Sequence, residues 1–175
     1  MKYKIIKKQK NSGHCFVCGA HNQHGLLGRF YHVQKNEEEE QILLGIFIPQ
    51  NHHQSYPGRM HGGISATILD ESIGRAVTII NPDIWGVTID LSVKYRKPVP
   101  LDETLYSEAR ITKVGFRAFE GEGKLFRANG EVCATGTGKF MILPPEKIAP
   151  EAITPENWFS VPDGEDAPEE ILIVT

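Results

Sequence analysis

The sequence predicts an α+β fold in which one antiparallel sheet wraps around one long central helix. An amphipathic segment over about residues 63–80 ends at Asn81-Pro82, a helix-stop signal. Two strand-like segments precede it and several follow, joined by short links rich in turn residues. Consecutive strands with such links pair antiparallel. Because the helix is fairly apolar, we expect the sheet to curl around it and bury it.

The strands before the helix are bounded by clear breaks. Residues 1–13 form a leader strand or arm that ends at Gly13. Residues 26–33 and 41–48 are strand-like, and Pro49 closes the second. The acidic run at residues 37–40 is typical of a solvated hairpin turn between them.

The helix and the strands after it follow from periodicity. The helix has a core face at 3- and 4-residue spacing: Leu69, Ile73, Ala76, Val77 and Ile80. The strands that follow are expected at residues 86–96, 104–114, 117–126 and 131–141. Residues 1–143 are therefore predicted to form a single domain. Residues 144–175 are predicted to be a proline-rich acidic tail, which Trp158-Phe159 and residues 171–174 would dock on the body.

Composition excludes several classes of protein. The 175 residues are 40% hydrophobic and 23% charged, and the net charge of -3 gives no footprint for nucleic acid. No apolar run approaches the ~20 residues of a membrane span, and the basic start lacks the apolar core of a signal peptide. Three cysteines do not make a disulfide framework. These features predict a cytoplasmic protein with reduced thiols and no membrane partner.

The stretch around the helix start has the features of a reaction site. His61-Gly62-Gly63 leads into the helix, whose first amides carry the positive end of the helix dipole and suit a carbonyl oxygen that becomes negative. Asp70 shares one helix stripe with small residues, whereas Glu71 and Arg75 form an i,i+4 pair on another face, predicted to be an exposed ion pair.

The spacing within this stretch predicts an oligomer. Gly62 and Asp70 lie eight residues apart, about 12 Å along a helix. One carbonyl cannot contact both groups of the same chain, since reacting groups meet at roughly 3 Å. An antiparallel second copy would bring Asp70 of one subunit to the His61 turn of the other. We therefore expect a homodimer, or a homotetramer built as a dimer of dimers.

Residues 61–70, His-Gly-Gly-Ile-Ser-Ala-Thr-Ile-Leu-Asp, resemble the signature of hotdog-fold thioesterases in the PaaI-like branch of the 4-hydroxybenzoyl-CoA thioesterase superfamily. Residues 86–98 resemble the strand that follows the helix in that family, including its Tyr-x-x-Pro ending. The resemblance covers about residues 15–141. It implies a hotdog fold and an acyl-CoA thioesterase that needs no cofactor and no metal.

The resemblance also implies residue roles. Asp70 matches the catalytic carboxylate, as general base or nucleophile, and the Gly62 N–H matches the donor to the thioester carbonyl. His61 would order that turn, and Thr88 would help to hold the attacking water. Related enzymes often place an Asn six residues before the His, where this chain has Ser55. Four nearby residues could substitute for the upstream Asn: Asn51, His52, His53 and Gln54. Further substrate-binding candidates are Gly63 and, for CoA phosphates, the basic residues Arg59, Lys94, Arg96 and Lys97.

Cys15-x-x-Cys18-Gly19 permits three interpretations: half of a zinc site, a redox pair of thiols, which we favour least, and a loop near the active site. The spacing suits half of a zinc site, but no second ligand pair is evident. The segment also resembles a loop that we place near the active site in other hotdog thioesterases. We favour the loop.

Three functions remain for such a chain. The first is hydrolysis of a small or medium acyl-CoA to the acid and CoA. The second is a hotdog dehydratase or hydratase, which pairs a catalytic His with an acid differently. The third is a non-catalytic acyl-CoA-binding module. The positions of Asp70 and Thr88 favour hydrolysis.

Overall fold

The computed structural model describes residues 1–36, 40–149, 154, 157–162 and 169–173. The strands are β1 (Lys2–Lys8), β2 (Asn11–Ser12), β3 (Arg29–Lys35), β4 (Gln41–Phe47), β5 (Gly86–Tyr95), β6 (Leu105–Val114), β7 (Ala118–Arg127), β8 (Val132–Ile142), β9 (Trp158–Phe159) and β10 (Glu170–Leu172). The helices are α1 (Gly62–Ala76) and the single turn α2 (Pro145–Ile148). Short 3₁₀ turns occupy Asn51–His53 and Val77–Ile79.

Eight strands form one antiparallel sheet in the order β10-β1-β3-β4-β6-β7-β8-β5. Helix α1 packs against β4 to β8, so the sheet wraps around it as predicted. Ile68, Leu69 and Ile73 of α1 are fully buried in this core. Gly121 on β7 permits the close approach, because a Cβ there would lie 2.8 Å from Cγ2 of Ile73. The fold class predicted from the sequence, a hotdog arrangement, is confirmed.

The helix boundary differs slightly from the prediction. Helix α1 ends at Ala76 and continues as a 3₁₀ turn, which changes the angular spacing of the side chains that follow. Ile80 consequently lies 58% exposed, so its assignment to the core face was wrong. Val77 remains buried. The predicted acidic turn lies largely outside the described residues.

The two ends of the chain meet on the sheet. Strand β10 pairs with β1, which adds the C-terminal segment to the edge of the main sheet. Strand β9 pairs with β2, and this brings Trp158 against the ring of Trp85 with centroids 5.5 Å apart. The described parts of residues 144–175 therefore dock where the sequence predicted; Val174 lies outside the described residues. None of the helices in the described part of the chain is long and apolar enough to cross a membrane.

Candidate active site

The start of α1 is ordered by His61, its N-cap residue. Nδ1 of His61 accepts a hydrogen bond from the Gly63 N–H at 2.9 Å, which satisfies one of the unpaired donors of the first turn. The neighbouring Gly62 N–H, at the first helical position, has no acceptor within the helix. The Tyr95 hydroxyl donates to the Gly62 carbonyl at 3.0 Å and fixes the turn to β5. This arrangement leaves a fixed N–H donor at the positive end of α1.

Asp70 on α1 and Thr88 on β5 are in direct contact. Oγ1 of Thr88 on β5 donates to Oδ1 of Asp70 at 2.7 Å. Burial raises the pKa of Asp70 above its ordinary value; the Thr88 hydrogen bond opposes this shift and the Glu71 charge adds to it. A carboxylate with a raised pKa is a better proton acceptor near neutral pH.

Asp70 lies on a cavity of about 700 Å³. The residues that line the cavity include Thr88, Phe140, Trp85, Cys15, Arg75 and Trp158. Its volume falls in the range of small-molecule sites. Gly62 is not among its lining residues, in agreement with the separation along α1.

Strand β5 is one of the two edge strands of the main sheet in the part of the chain that the structure describes. Its ten residues include Ile89 and Tyr95, each about half exposed. A long edge strand with exposed apolar side chains is a surface on which another strand can pair. Thr88 belongs to this strand, so the edge lies beside Asp70.

Arg75 is buried, so the predicted exposed ion pair was wrong. Its Nε lies 2.6 Å from Oε1 of Glu71, and the guanidinium lies over the rings of Phe30 and Trp158, 4.6 and 5.0 Å from their centroids. The same group donates to Oε1 of Gln9 and to Sγ of Cys18. The sequence could not reveal this, because the arm, the cysteine loop and the tail all cover α1 from a distance along the chain.

The predicted basic residues are not gathered around Asp70. Lys94 and Arg96 line a separate groove of about 600 Å³, on the sheet face opposite α1. The cause is a β-bulge at Ile89, between Thr88 and Asp90, which moves the residues after it to the other face. Arg59 and Lys97 are exposed in loops and do not line the Asp70 cavity.

Lysines of the N-terminal arm line the cavity instead. Lys7, Lys8 and Lys10 all contribute to its wall. Nζ of Lys8 also donates to the carbonyl of Val161 in the tail. The basic start of the sequence was the signal for this cluster, but only the pairing of β1 with β3 places it beside α1.

The loop before α1 holds the upstream candidates. Asn51 and Ser55 are both exposed, and the Ser55 hydroxyl accepts from the Tyr56 N–H at 2.6 Å. His53 is buried; Nδ1 accepts from the Gln50 N–H at 2.9 Å, and Nε2 faces the His24 carbonyl at 3.1 Å. His53 therefore joins this loop to the cysteine loop, a structural role that the sequence analysis had not assigned.

The fold and the Asp70 site together define a hotdog protein with a carboxylate on the central helix. Residues 57–134 match the family model described as the thioesterase superfamily. The match runs from the loop before α1 into β8 and agrees with the resemblance carried by the sequence motifs.

Known proteins with similar sequences carry related names. Acyl-coenzyme A thioesterase 13 of Homo sapiens is 28% identical over 88 residues, 50% of this chain and 63% of that protein. Acyl-coenzyme A thioesterase THEM4 of Mus musculus is 29% identical over 122 residues, 69% of this chain and 51% of that protein. The chain thus spans less than two thirds of the length of these curated relatives.

One solved structure is similar to this chain in both sequence and fold. A Bacillus halodurans protein crystallised with CoA is 33% identical and superposes with a TM-score of 0.53. The match covers 57% of this chain and 66% of that one.

Proposed function

We propose that the chain is an acyl-CoA thioesterase that hydrolyses a small or medium acyl-CoA to the free acid and CoA, without cofactor or metal. The observation that carries this proposal is the Asp70–Thr88 pair on the wall of the cavity, with a hydrogen bond of 2.7 Å. The superfamily match and the names of the relatives support the reaction class.

Asp70 is proposed as the general base. The Thr88 hydroxyl engages Oδ1 and leaves Oδ2 to accept a proton from water. The water oxygen then bonds to the thioester carbonyl carbon, whose oxygen becomes an oxyanion. When the intermediate collapses, the carbon–sulfur bond breaks, the electron pair leaves with the CoA sulfur, and a proton returns to that sulfur.

The Gly62 N–H is the proposed oxyanion donor, with His61 and Gly63 holding its geometry. Because Gly62 and Asp70 are about 12 Å apart on one helix, the donor must come from a second copy. The exposed edge of β5 supports an isologous homodimer, either alone or within a dimer of dimers. Each dimer would contain two equivalent sites.

Phosphates of the substrate need cations at the cavity mouth. Lys7 and Lys10 suit this role because they line the Asp70 cavity. Arg59, Arg96 and Lys97 would act only through a partner copy, as would the loop residues Asn51 and Ser55.

The hydrogen bond that His61 makes at Nδ1 favours hydrolysis over dehydration. Its Nδ1 is occupied by the Gly63 amide, so the ring orders the helix start. We also propose a cytoplasmic protein, which the free thiols of all three cysteines support. The domain boundary is proposed after residue 143, with the tail docked on the body.

The experiment is a thiol-release assay across acyl-CoA chain lengths with wild type, Asp70→Asn and the control Asp83→Asn. Asp83 is exposed in the turn before β5 and does not line the Asp70 cavity. We expect turnover of at least one acyl-CoA, a loss of about 10²-fold or more in Asp70→Asn, and no change in Asp83→Asn. No turnover by the wild type, or full activity in Asp70→Asn, would refute the proposal.

A further inference from the structure

Cys15 and Cys18 are held face to face by one tight turn. The Gly19 N–H donates to the Cys15 carbonyl at 2.8 Å and closes the turn. Gly19 is required there, because a Cβ would lie 2.3 Å from that carbonyl oxygen. Residues three apart in such a turn share one side. The two sulfurs and a carboxylate oxygen of Glu71 accordingly lie within 4.8 Å of one another.

The two thiols have different environments. Cys18 is fully buried, and its Sγ accepts from the guanidinium of Arg75 at 2.9 Å and from the Ser12 N–H at 3.4 Å. Cys15 is half-buried and lines the 700 Å³ cavity. Its Sγ accepts from the Val17 N–H at 3.3 Å. One sulfur is therefore open to a small reagent, and the other stands directly behind it.

The charges around the pair favour thiol chemistry over a metal ion. Arg75 already occupies Glu71 at 2.6 Å and Cys18 at 2.9 Å, two of the three groups that would bind a cation. A divalent ion between them would face a guanidinium at close range and would have to displace it. The same positive charge stabilises negative charge on the sulfur pair.

We propose that Cys15 and Cys18 are a peroxide-sensitive dithiol that forms a reversible disulfide on the wall of the Asp70 cavity. The Cys15 thiolate attacks one oxygen of a hydroperoxide, the O–O bond breaks, and the sulfur is oxidised to a sulfenic acid while water or an alcohol leaves. The Cys18 sulfur then attacks the Cys15 sulfur, and the sulfenic oxygen leaves as water with the Cys18 proton. Two thiols and one hydrogen peroxide thus give one disulfide and two water molecules, whereas an alkyl hydroperoxide gives one water and one alcohol.

The ionisation of the pair agrees with this order of events. The hydrogen bond from the Cys18 thiol lowers the pKa of Cys15 to about 6, against the opposing effects of burial and of the Glu71 charge. The same hydrogen bond, followed by burial, raises the pKa of Cys18, against the Arg75 charge. The Cys15 sulfur, which lines the cavity, is therefore the one that ionises first, and Cys18 keeps the proton that the second step releases.

The test uses the Cys133→Ser chain, which retains only this pair of thiols. The reduced, folded protein is treated with hydrogen peroxide, then unfolded for thiol counting and intact mass, with the urea-unfolded chain as the matched control. We expect the folded chain to lose both thiols and the mass of two hydrogen atoms at least about tenfold faster than the unfolded chain. Dithiothreitol should restore both thiols.

Single variants separate the two sulfurs. Cys18→Ser should stop at a Cys15 sulfenic acid that dimedone traps, and Cys15→Ser should react no faster than the unfolded chain. These readouts do not depend on thioesterase activity, and the Cys133→Ser result decides the matter even if a single variant fails to fold. The proposal is overturned if the folded dithiol reacts no faster than the unfolded one. It is equally overturned if one Zn²⁺ per chain binds and protects both thiols.

Discussion

Replacing Arg75 by Met removes a guanidinium that four groups share while keeping an apolar stem of similar length. Those groups are the Glu71 carboxylate, the Gln9 side chain, the Lys10 carbonyl and the Cys18 sulfur, at 2.6 to 3.1 Å. The Met side chain still packs against Phe30 and Trp158. The change therefore isolates the electrostatic part of the interaction.

The expected cost follows from burial. Breaking a buried ion pair costs about 3–5 kcal/mol, because the remaining charge loses its partner. The Glu71 side chain is 25% exposed, so water offsets part of this loss. We expect the free energy of unfolding to fall by about 3 kcal/mol, the lower end of that range. Glu71→Gln in the same background should recover part of it, because the unpaired charge is gone.

Urea denaturation followed by circular dichroism measures the loss in Arg75→Met and the recovery on adding Glu71→Gln. The matched control is Arg110→Met, whose partner Glu122 lies at 2.7 Å with both side chains about half exposed. This surface pair should contribute no more than about 1 kcal/mol. If Arg75→Met cost no more than Arg110→Met, the buried network would be energetically irrelevant and the reasoning from burial would be wrong.

Two further predictions concern protonation. Thr88→Val removes the hydrogen bond that lowers the pKa of Asp70, so this pKa should rise. The acid limb of the kcat/KM profile should therefore move to higher pH, and kcat/KM at pH 7 should fall about fivefold. A pH–rate profile with an unmoved acid limb would contradict this. Burial lowers the pKa of His32 to about 4 in the folded chain. Between pH 4 and 6.5 the unfolded chain therefore binds more protons than the folded chain, so the free energy of unfolding must rise with pH, by up to roughly 3 kcal/mol. Chemical denaturation across that window should give a flatter dependence for His32→Gln, and equal slopes would count against the assignment.

The sequence predicted the fold well because periodicity and turn residues act locally. Helix α1 and the strands follow from spacing and turn residues along the chain. Thr88 was singled out only through the family resemblance, and its hydrogen bond to Asp70 is seen in the structure alone. The resemblance implied that His61 orders the turn before α1, and in the structure its Nδ1 accepts from the Gly63 N–H.

Features that depend on distant packing were not predictable. The burial of Arg75 requires the arm, the cysteine loop and Trp158 to converge on α1. The Arg96 side chain lies on the face of the sheet away from α1 because Ile89 is an extra residue in β5. A one-residue bulge moves every later side chain of the strand to the opposite face. Neither follows from hydrophobic pattern alone.

In the proposed dimer, each site combines Asp70 of one copy with Gly62 of another. Gly62→Pro removes the N–H donor at the first helical position, where a proline ring is tolerated. The preceding His61 has φ -63° and ψ 136°, which is compatible with a following proline.

Co-expression of differently tagged Asp70→Asn and Gly62→Pro chains, followed by purification of the mixed dimer, tests the claim most directly. Each variant alone should be nearly inactive, since both of its sites lack one group. The mixed dimer has one site with both groups intact, so it should recover about half of the wild-type activity per dimer. A mixed dimer no more active than its parents would show that the two groups do not act together across an interface.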